Sequence, residues 1–240
     1  MNVVAVTQKG FKKEENEDRI LIGKSVIASG AFQTKEPVKL VAIADGVGGN
    51  QAGAVASQFV MHQLAQENCV SEKAFLQINH NILSLSAKKQ EYYGMATTLS
   101  GICFFPDHSE VFSIGNTRVY TIQSRKYLKQ ITSDDTTLHF LLSTGQISAE
   151  SAKSFERKNE ITACFGGGSS SLFKMKHKTV EGLLSPFLLT SDGVHDYVSV
   201  DQMEEILLEF GWTLEACEQI IAVAYANGSK DDVSIILGEV

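Results

Sequence analysis

"KLVAIADGVGGN", residues 39–50, joins an apolar run to an aspartate and a cluster of glycines. Leu40 to Ala44 are too few for a free-standing helix and read as a short buried strand. Asp45 stands where that run stops, followed by Gly46, Val47, Gly48 and Gly49. Asp-Gly is ordinary turn chemistry, and taken alone the stretch says no more than that. The pattern recurs, however. "PFLLTSDGVHD" sets Asp192-Gly193 directly after another apolar run, and "NGSKDDVSIILGEV" sets Asp231 and Asp232 directly before one. "EENEDRILIG" sets Glu17 and Asp18 at the entrance of the first long strand candidate. Strands that bring these boundaries together gather carboxylates on one rim.

Such a cluster is costly by itself, because each negative charge disfavours ionisation of its neighbours. A hard divalent cation resolves the conflict, and oxygen-only ligands favour magnesium, manganese or calcium over zinc. Glycine at 46, 48 and 49 lets backbone approach an ion, so that the Gly46 carbonyl can serve as a ligand. The competing account is a set of separate, solvated turns.

The other motifs are weaker. "DGVGGNQAG" lacks the GK[ST] ending of a phosphate-cradling P-loop, and no GxGxxG is present. Ser191-Asp192-Gly193 is not the GxSxG of a nucleophile elbow. The histidines form no HxxxH pair; His195, three residues after Asp192, is the one worth following into the structure.

The chain has 240 residues, 43% of them hydrophobic, with 3 prolines and no long polar tract, which favours one domain over two. A net charge of −7 argues against a nucleic-acid partner, since those partners call for a basic patch. Cysteines at 69, 103, 164 and 217 have no zinc spacing and read as buried thiols of a reducing compartment. The positive charges near the start follow the apolar patch, the reverse of a signal peptide. No apolar stretch reaches transmembrane length. These features lead us to expect a cytoplasmic protein.

Helical periodicity marks 51–68, 71–89, a segment capped by Ser199 and Gln202, and a last helix closing at Asn227-Gly228. Strand-like segments are 2–6, 18–27, 38–44, 97–105, 109–114, 117–123, 172–180, 186–190 and 232–238. This order suits sheets covered by helices, with many antiparallel neighbours. Residues 133–170 are polar and weakly helical, and read as a peripheral flap.

At this point the chain resembles the metal-dependent serine/threonine protein phosphatases of type 2C, especially short bacterial members. The resemblance runs from about Gly10 to Ser234. "NED" at 16–18, "DGVGG" at 45–49, "ATT" at 96–98 and "GNTR" at 115–118 look like successive family blocks. "LLSTGQISAESA" and "NEITACFG" are similar to the bacterial flap, "LTSDG" to the next metal block and "KDDVS" to the last. The resemblance implies an α+β fold: two antiparallel β-sheets packed face to face with helices on both outer faces, plus the flap, in a single domain over 1–240.

It also implies hydrolysis of phosphoserine and phosphothreonine in proteins by two-metal activation of a bridging water, with two Mn²⁺ or Mg²⁺ ions. Carried over by motif, Asp45 bridges both ions, Asp192 and Asp231 hold one, and the Gly46 carbonyl binds the other. Glu17 and Asp18 then act through that second ion or its waters. Implied partners are phosphorylated proteins, opposed by a Ser/Thr kinase and met by a monomer, with no nucleic acid and no membrane.

Three departures stand out. Lys13 occupies the position of a phosphate-clamping arginine and offers a point charge instead of a planar fork. Asn116 replaces an aspartate that helps to hold a third, weaker ion, and Val47 replaces a histidine common in animal members. The first two motivate an alternative, a catalytically weak, phosphatase-like regulatory or phosphoprotein-binding module. A metal-dependent hydrolase of small phosphate esters is a third possibility.

Overall fold

Odd and even positions of the first strand face different neighbours, and this parity organises the molecule. A computed structural model describes residues 1–47, 51–67, 70–124 and 126–239. Strand β1 (Asn2–Gln8) directs Val3 and Ala5 into one apolar cluster, and Val4 and Val6 into another. A strand buried on both faces needs apolar residues at every position, which is why the segment reads as a continuous run.

One sheet is six-stranded and antiparallel, in the order β10 (Tyr127–Gln130), β9 (Arg118–Gln123), β13 (Phe187–Thr190), β14 (Val233–Glu239), β1, β4 (Gly30–Thr34). The other runs β3 (Ser25–Ile27), β2 (Asp18–Ile22), β5 (Leu40–Val47), β7 (Leu99–Phe104), β8 (His108–Ile114), β12 (Lys176–Glu181). Two short strands, β6 (Ala96–Thr97) and β11 (Phe165–Gly166), extend it beside the end of β5. Val3, Ile20, Val41, Ile43, Ile102, Phe187, Leu189 and Ile236 fill the space between the sheets.

Helices α1 (Gln51–Leu64) and α2 (Glu72–Ser86) cover the outer face of the eight-stranded sheet through Val60, Leu64, Phe75, Ile78 and Ile82. Helices α6 (Val200–Phe210) and α7 (Leu214–Ala226) cover the six-stranded sheet through Met203, Leu207, Ile220 and Ile221. The expected sandwich, with helices on both outer faces, is therefore the fold. The capping box of Ser199 and Gln202 starts α6 as its spacing predicts.

Several boundaries differ from those expected. The segment 18–27 is a hairpin rather than one strand: Ile22 pairs with Ser25, and Gly23 takes the positive φ of +62° that the two-residue turn needs. The strand β5 continues to Val47 because Gly46 and Val47 pair with Thr97 and Ala96. Asp45 thus lies inside a strand, not at its end. The expected strand over 172–180 begins only at Lys176. Within 133–170 are two short helices, α3 (Thr137–Ser143) and α4 (Ala149–Lys153). Cys103, Cys164 and Cys217 are buried, and Cys69 lies outside the described residues. No helix among the described residues is long and apolar enough to cross a membrane.

Candidate metal centre

Strand parity carries the acidic residues into the layer between the sheets. Val41 and Ile43 of β5 face the opposite sheet, and Asp45 is the next residue of that series. Ile20 and Ile22 of β2 do the same, which puts Asp18 on the same side. Asp18 and Asp45 are direct cross-strand partners. Like charges paired in this way are destabilising, and nothing in the fold requires them.

The apolar layer turns polar as it approaches them. Thr7 Oγ1 lies 2.8 Å from Ser234 Oγ, and Asn16 Nδ2 donates to Thr7 Oγ1 at 2.8 Å. Burial first, then the charges of Asp232 and Asp192, push the Asp18 carboxyl up to about 8, against hydrogen bonds from Ser234 and Ser191. The Asp45 carboxyl is raised well above its ordinary value by burial and by Asp192, Asp18 and Asp231.

The backbone around Asp45 is held from both sides. Thr98 N and Thr97 Oγ1 each donate to the Asp45 carbonyl at 2.9 Å, and Asp45 N donates to Thr98 Oγ1 at 3.1 Å. This explains the two adjacent threonines of the "ATT" stretch. Gly46 packs backbone to backbone: a Cβ there would lie 2.2 Å from the Gly53 carbonyl oxygen and 2.8 Å from that of Glu17. Gly48 and Gly49 lie outside the described residues.

Asp192 opens a one-turn helix, α5 (Asp192–His195), directly after Ser191. Burial and then the Asp231 charge push its carboxyl up to about 6, while Asn116 Nδ2 donates to Asp192 Oδ2 at 3.0 Å. Asp231 is half exposed. Its neighbour Asp232 is buried and does different work, accepting from Gly10 N at 2.8 Å and from Glu17 N at 2.7 Å. It braces the loop carrying Lys13 and Glu17. Lys13 Nζ lies 2.5 Å from Glu17 Oε2 and 3.0 Å from Asp231 Oδ1, so its ammonium sits among the carboxylates rather than apart from them.

His195 is buried beside this group. Its Nδ1 lies 2.8 Å from Thr190 Oγ1, its Nε2 has no partner, and burial together with Arg118 keeps the ring neutral. A cavity of about 190 Å³ runs from Asn116 and His195 to Leu138 and Asn159 of the 133–170 segment. A larger cavity, about 680 Å³, lies elsewhere, between the start of α2 and β12.

The residues fit a hard divalent cation. Glu17 Oε1 and Asp18 Oδ2 are buried without a partner, and the acidic set offers oxygen alone. Among the described residues no three such side chains close on an ion by themselves. The Gly46 carbonyl and water would complete the coordination, as suits magnesium, which gives up its waters reluctantly. Of the expected site residues, Asp18, Asp45, Asp192 and Asp231 share one electrostatic cluster. Lys13 joins it through Asp231, Glu17 through Lys13, Asn116 through Asp192, and Gly46 through the Glu17 carbonyl. Sequence reasoning overlooked the brace at Asp232 and the hydroxyls of Thr7, Ser191 and Ser234. Counting back from apolar Ile236 in steps of two would have found Ser234 and Asp232.

A two-sheet antiparallel sandwich with helical outer layers and a cluster of carboxylates at one end of its middle layer defines the class. Residues 28–222 match the protein phosphatase 2C family, and the chain belongs to it. It is 29% identical to the serine/threonine phosphatase stp of Listeria monocytogenes serotype 4b, over 97% of this chain and 93% of that one. The crystal structure of Stp1 from Staphylococcus aureus superposes with a TM-score of 0.82 at 28% identity, covering 99% of this chain and 94% of that one. The catalytic domain of PstP, solved in complex with two manganese ions, gives a TM-score of 0.79 at 28% identity, covering 100% and 99%.

Proposed function

We propose that this chain hydrolyses phosphoserine and phosphothreonine in proteins, using two Mn²⁺ or Mg²⁺ ions. The observation that carries this reading is the Asp18–Asp45 cross-strand pair with Asp192 and Asp231 against it, a cluster that stays ionised only with a cation in it. Asp45, Asp192, Asp231 and the Gly46 carbonyl hold the ions, with Glu17 and Asp18 acting directly or through water. Bound there, the ions supply Lewis acidity, which lowers the pKa of a water and offsets phosphoryl charge. The protein positions them: Thr97 and Thr98 fix Asp45, and Asp232 fixes the loop of Glu17. Lys13 offers a charge to the substrate phosphate. The chain acts as one domain, a cytoplasmic monomer opposed by a Ser/Thr kinase and engaging neither nucleic acid nor membrane, and 133–170 is a flap that selects among phosphoproteins.

Turnover of a phosphothreonine peptide and of p-nitrophenyl phosphate, with manganese and with chelator, tests the proposal. Manganese-dependent hydrolysis of the peptide is expected. Turnover of small esters alone would point to a different substrate class, and silence on both would leave a binding module.

Asn116 tunes this site. Its amide donates to Asp192, so it shields that carboxylate without adding a negative charge for a third ion. Asn116→Asp exchanges the donor for a second carboxylate, which needs a cation between the two. The manganese concentration for half-maximal activity should fall several-fold, and Tm in chelator should fall with it. An unchanged manganese requirement would reduce Asn116 to a turn residue.

A further inference from the structure

Lys13 is the cation already present at this centre, and its place is fixed by the fold. Its loop is tied down by Gly10 N on Asp232 Oδ1, by Lys13 N on the Gly10 carbonyl at 3.2 Å and by Glu17 N on Asp232 Oδ2. A Cβ on Gly10 would lie 2.2 Å from the Lys230 carbonyl oxygen, so this loop rests directly on the segment that carries Asp231. From there Lys13 Nζ reaches Glu17 at 2.5 Å, Asp231 at 3.0 Å and Asp232 at 3.8 Å. One ammonium thus spans carboxylates from both ends of the chain. Glu17 is divided, with Oε2 on Lys13 and Oε1 buried without a partner.

We propose that the Lys13 ammonium is a tethered competitor of divalent-ion binding, occupying the Glu17 and Asp231 oxygens until an ion displaces it. The inference rests on the metal-centre reading above and adds a regulator to it. A monovalent ammonium and a divalent ion cannot both sit within about 3 Å of the same oxygens without strong mutual repulsion. Metal loading therefore releases the lysine, and only then is its charge free for a substrate phosphate. The centre couples phosphate capture to metal occupancy through one side chain, and its affinity for metal is weaker than its carboxylates alone would give.

Calorimetric titration of the chelator-treated protein with MnCl₂, without substrate, tests this apart from catalysis. Lys13→Met should lower Kd for one manganese ion about tenfold, whereas Lys13→Arg, which keeps the cation, should stay close to wild type. Lys12→Met removes the same charge from an exposed neighbour on the same loop and should leave Kd within about twofold. The rise in Tm on adding manganese should be larger for Lys13→Met than for wild type. Unchanged or weaker manganese binding by Lys13→Met, or equal tightening by Lys12→Met, would overturn the competition and leave the phosphatase reading intact. A wild-type protein that binds no manganese at all would remove the metal centre itself.

Discussion

Asp45→Asn is expected to lower phosphopeptide turnover by about a thousandfold or more while leaving the protein folded. The Asp45 main chain is held by Thr97 and Thr98 whatever its side chain, and asparagine has the same shape. What changes is charge. The carboxylate faces Asp18 across the ladder and lies within the fields of Asp192 and Asp231. Removing it takes away a carboxylate proposed above to hold the ions, and it also relieves repulsion in the metal-free protein. Tm in chelator should therefore stay level or rise as activity disappears, a combination that simple misfolding cannot give. Measured rates equal to wild type would show that the ions, and the reaction, lie elsewhere.

The second large effect is on stability against pH once metal is removed. Asp18 titrates at about 8 in the folded protein and near 3.8 when unperturbed, so the folded state binds a proton that the unfolded state has lost. A carboxyl raised in this way stabilises the fold fully below its unfolded value, and that stability is lost as pH climbs through the folded value. Asp45 shifts in the same direction. His195 works the other way, since a buried neutral imidazole costs stability only below about 6.5, where the unfolded chain binds a proton. The clean window is therefore pH 6.5 to 8. Over it the chelated protein should lose about 2 kcal/mol, or roughly 5 °C in Tm. Manganese at pH 8 should restore the loss, and Asp18→Asn should flatten the profile. A chelated Tm that is level or rises across that window would contradict the assignment.

The rim carboxylates were legible in sequence because each abuts a run of apolar residues that has to be a core strand. Their meeting was not legible. It depends on register, and the Asp18–Asp45 pairing follows from how the hairpin β2–β3 docks on β5, which no local pattern encodes. The exposed edge strands β4 and β10 escaped notice because GAFQT and YLKQ have little burial to impose an alternation. The short β6 ends at Thr97, and at Thr98 the main chain leaves the ladder to bond Asp45, so a contact to the acidic cluster interrupts what reads as one strand. Asp231 and Asp232 look equivalent as letters. Only the parity of β14 separates the half-exposed rim group from the buried brace.

The position of β14 also bears on how the protein comes into being. This strand lies between β13 and β1, pairing with both, so segments far apart in sequence are sheet neighbours. Pairings this distant in sequence form late and slowly, because the intervening chain must first be brought into place. During synthesis, the six-stranded sheet cannot close and Asp231 cannot reach Asp45 until β14 has cleared the ribosome. Nascent chains should accordingly be inert towards phosphoproteins, and the exposed edge of β1 is a surface that chaperones would have to protect in the interval.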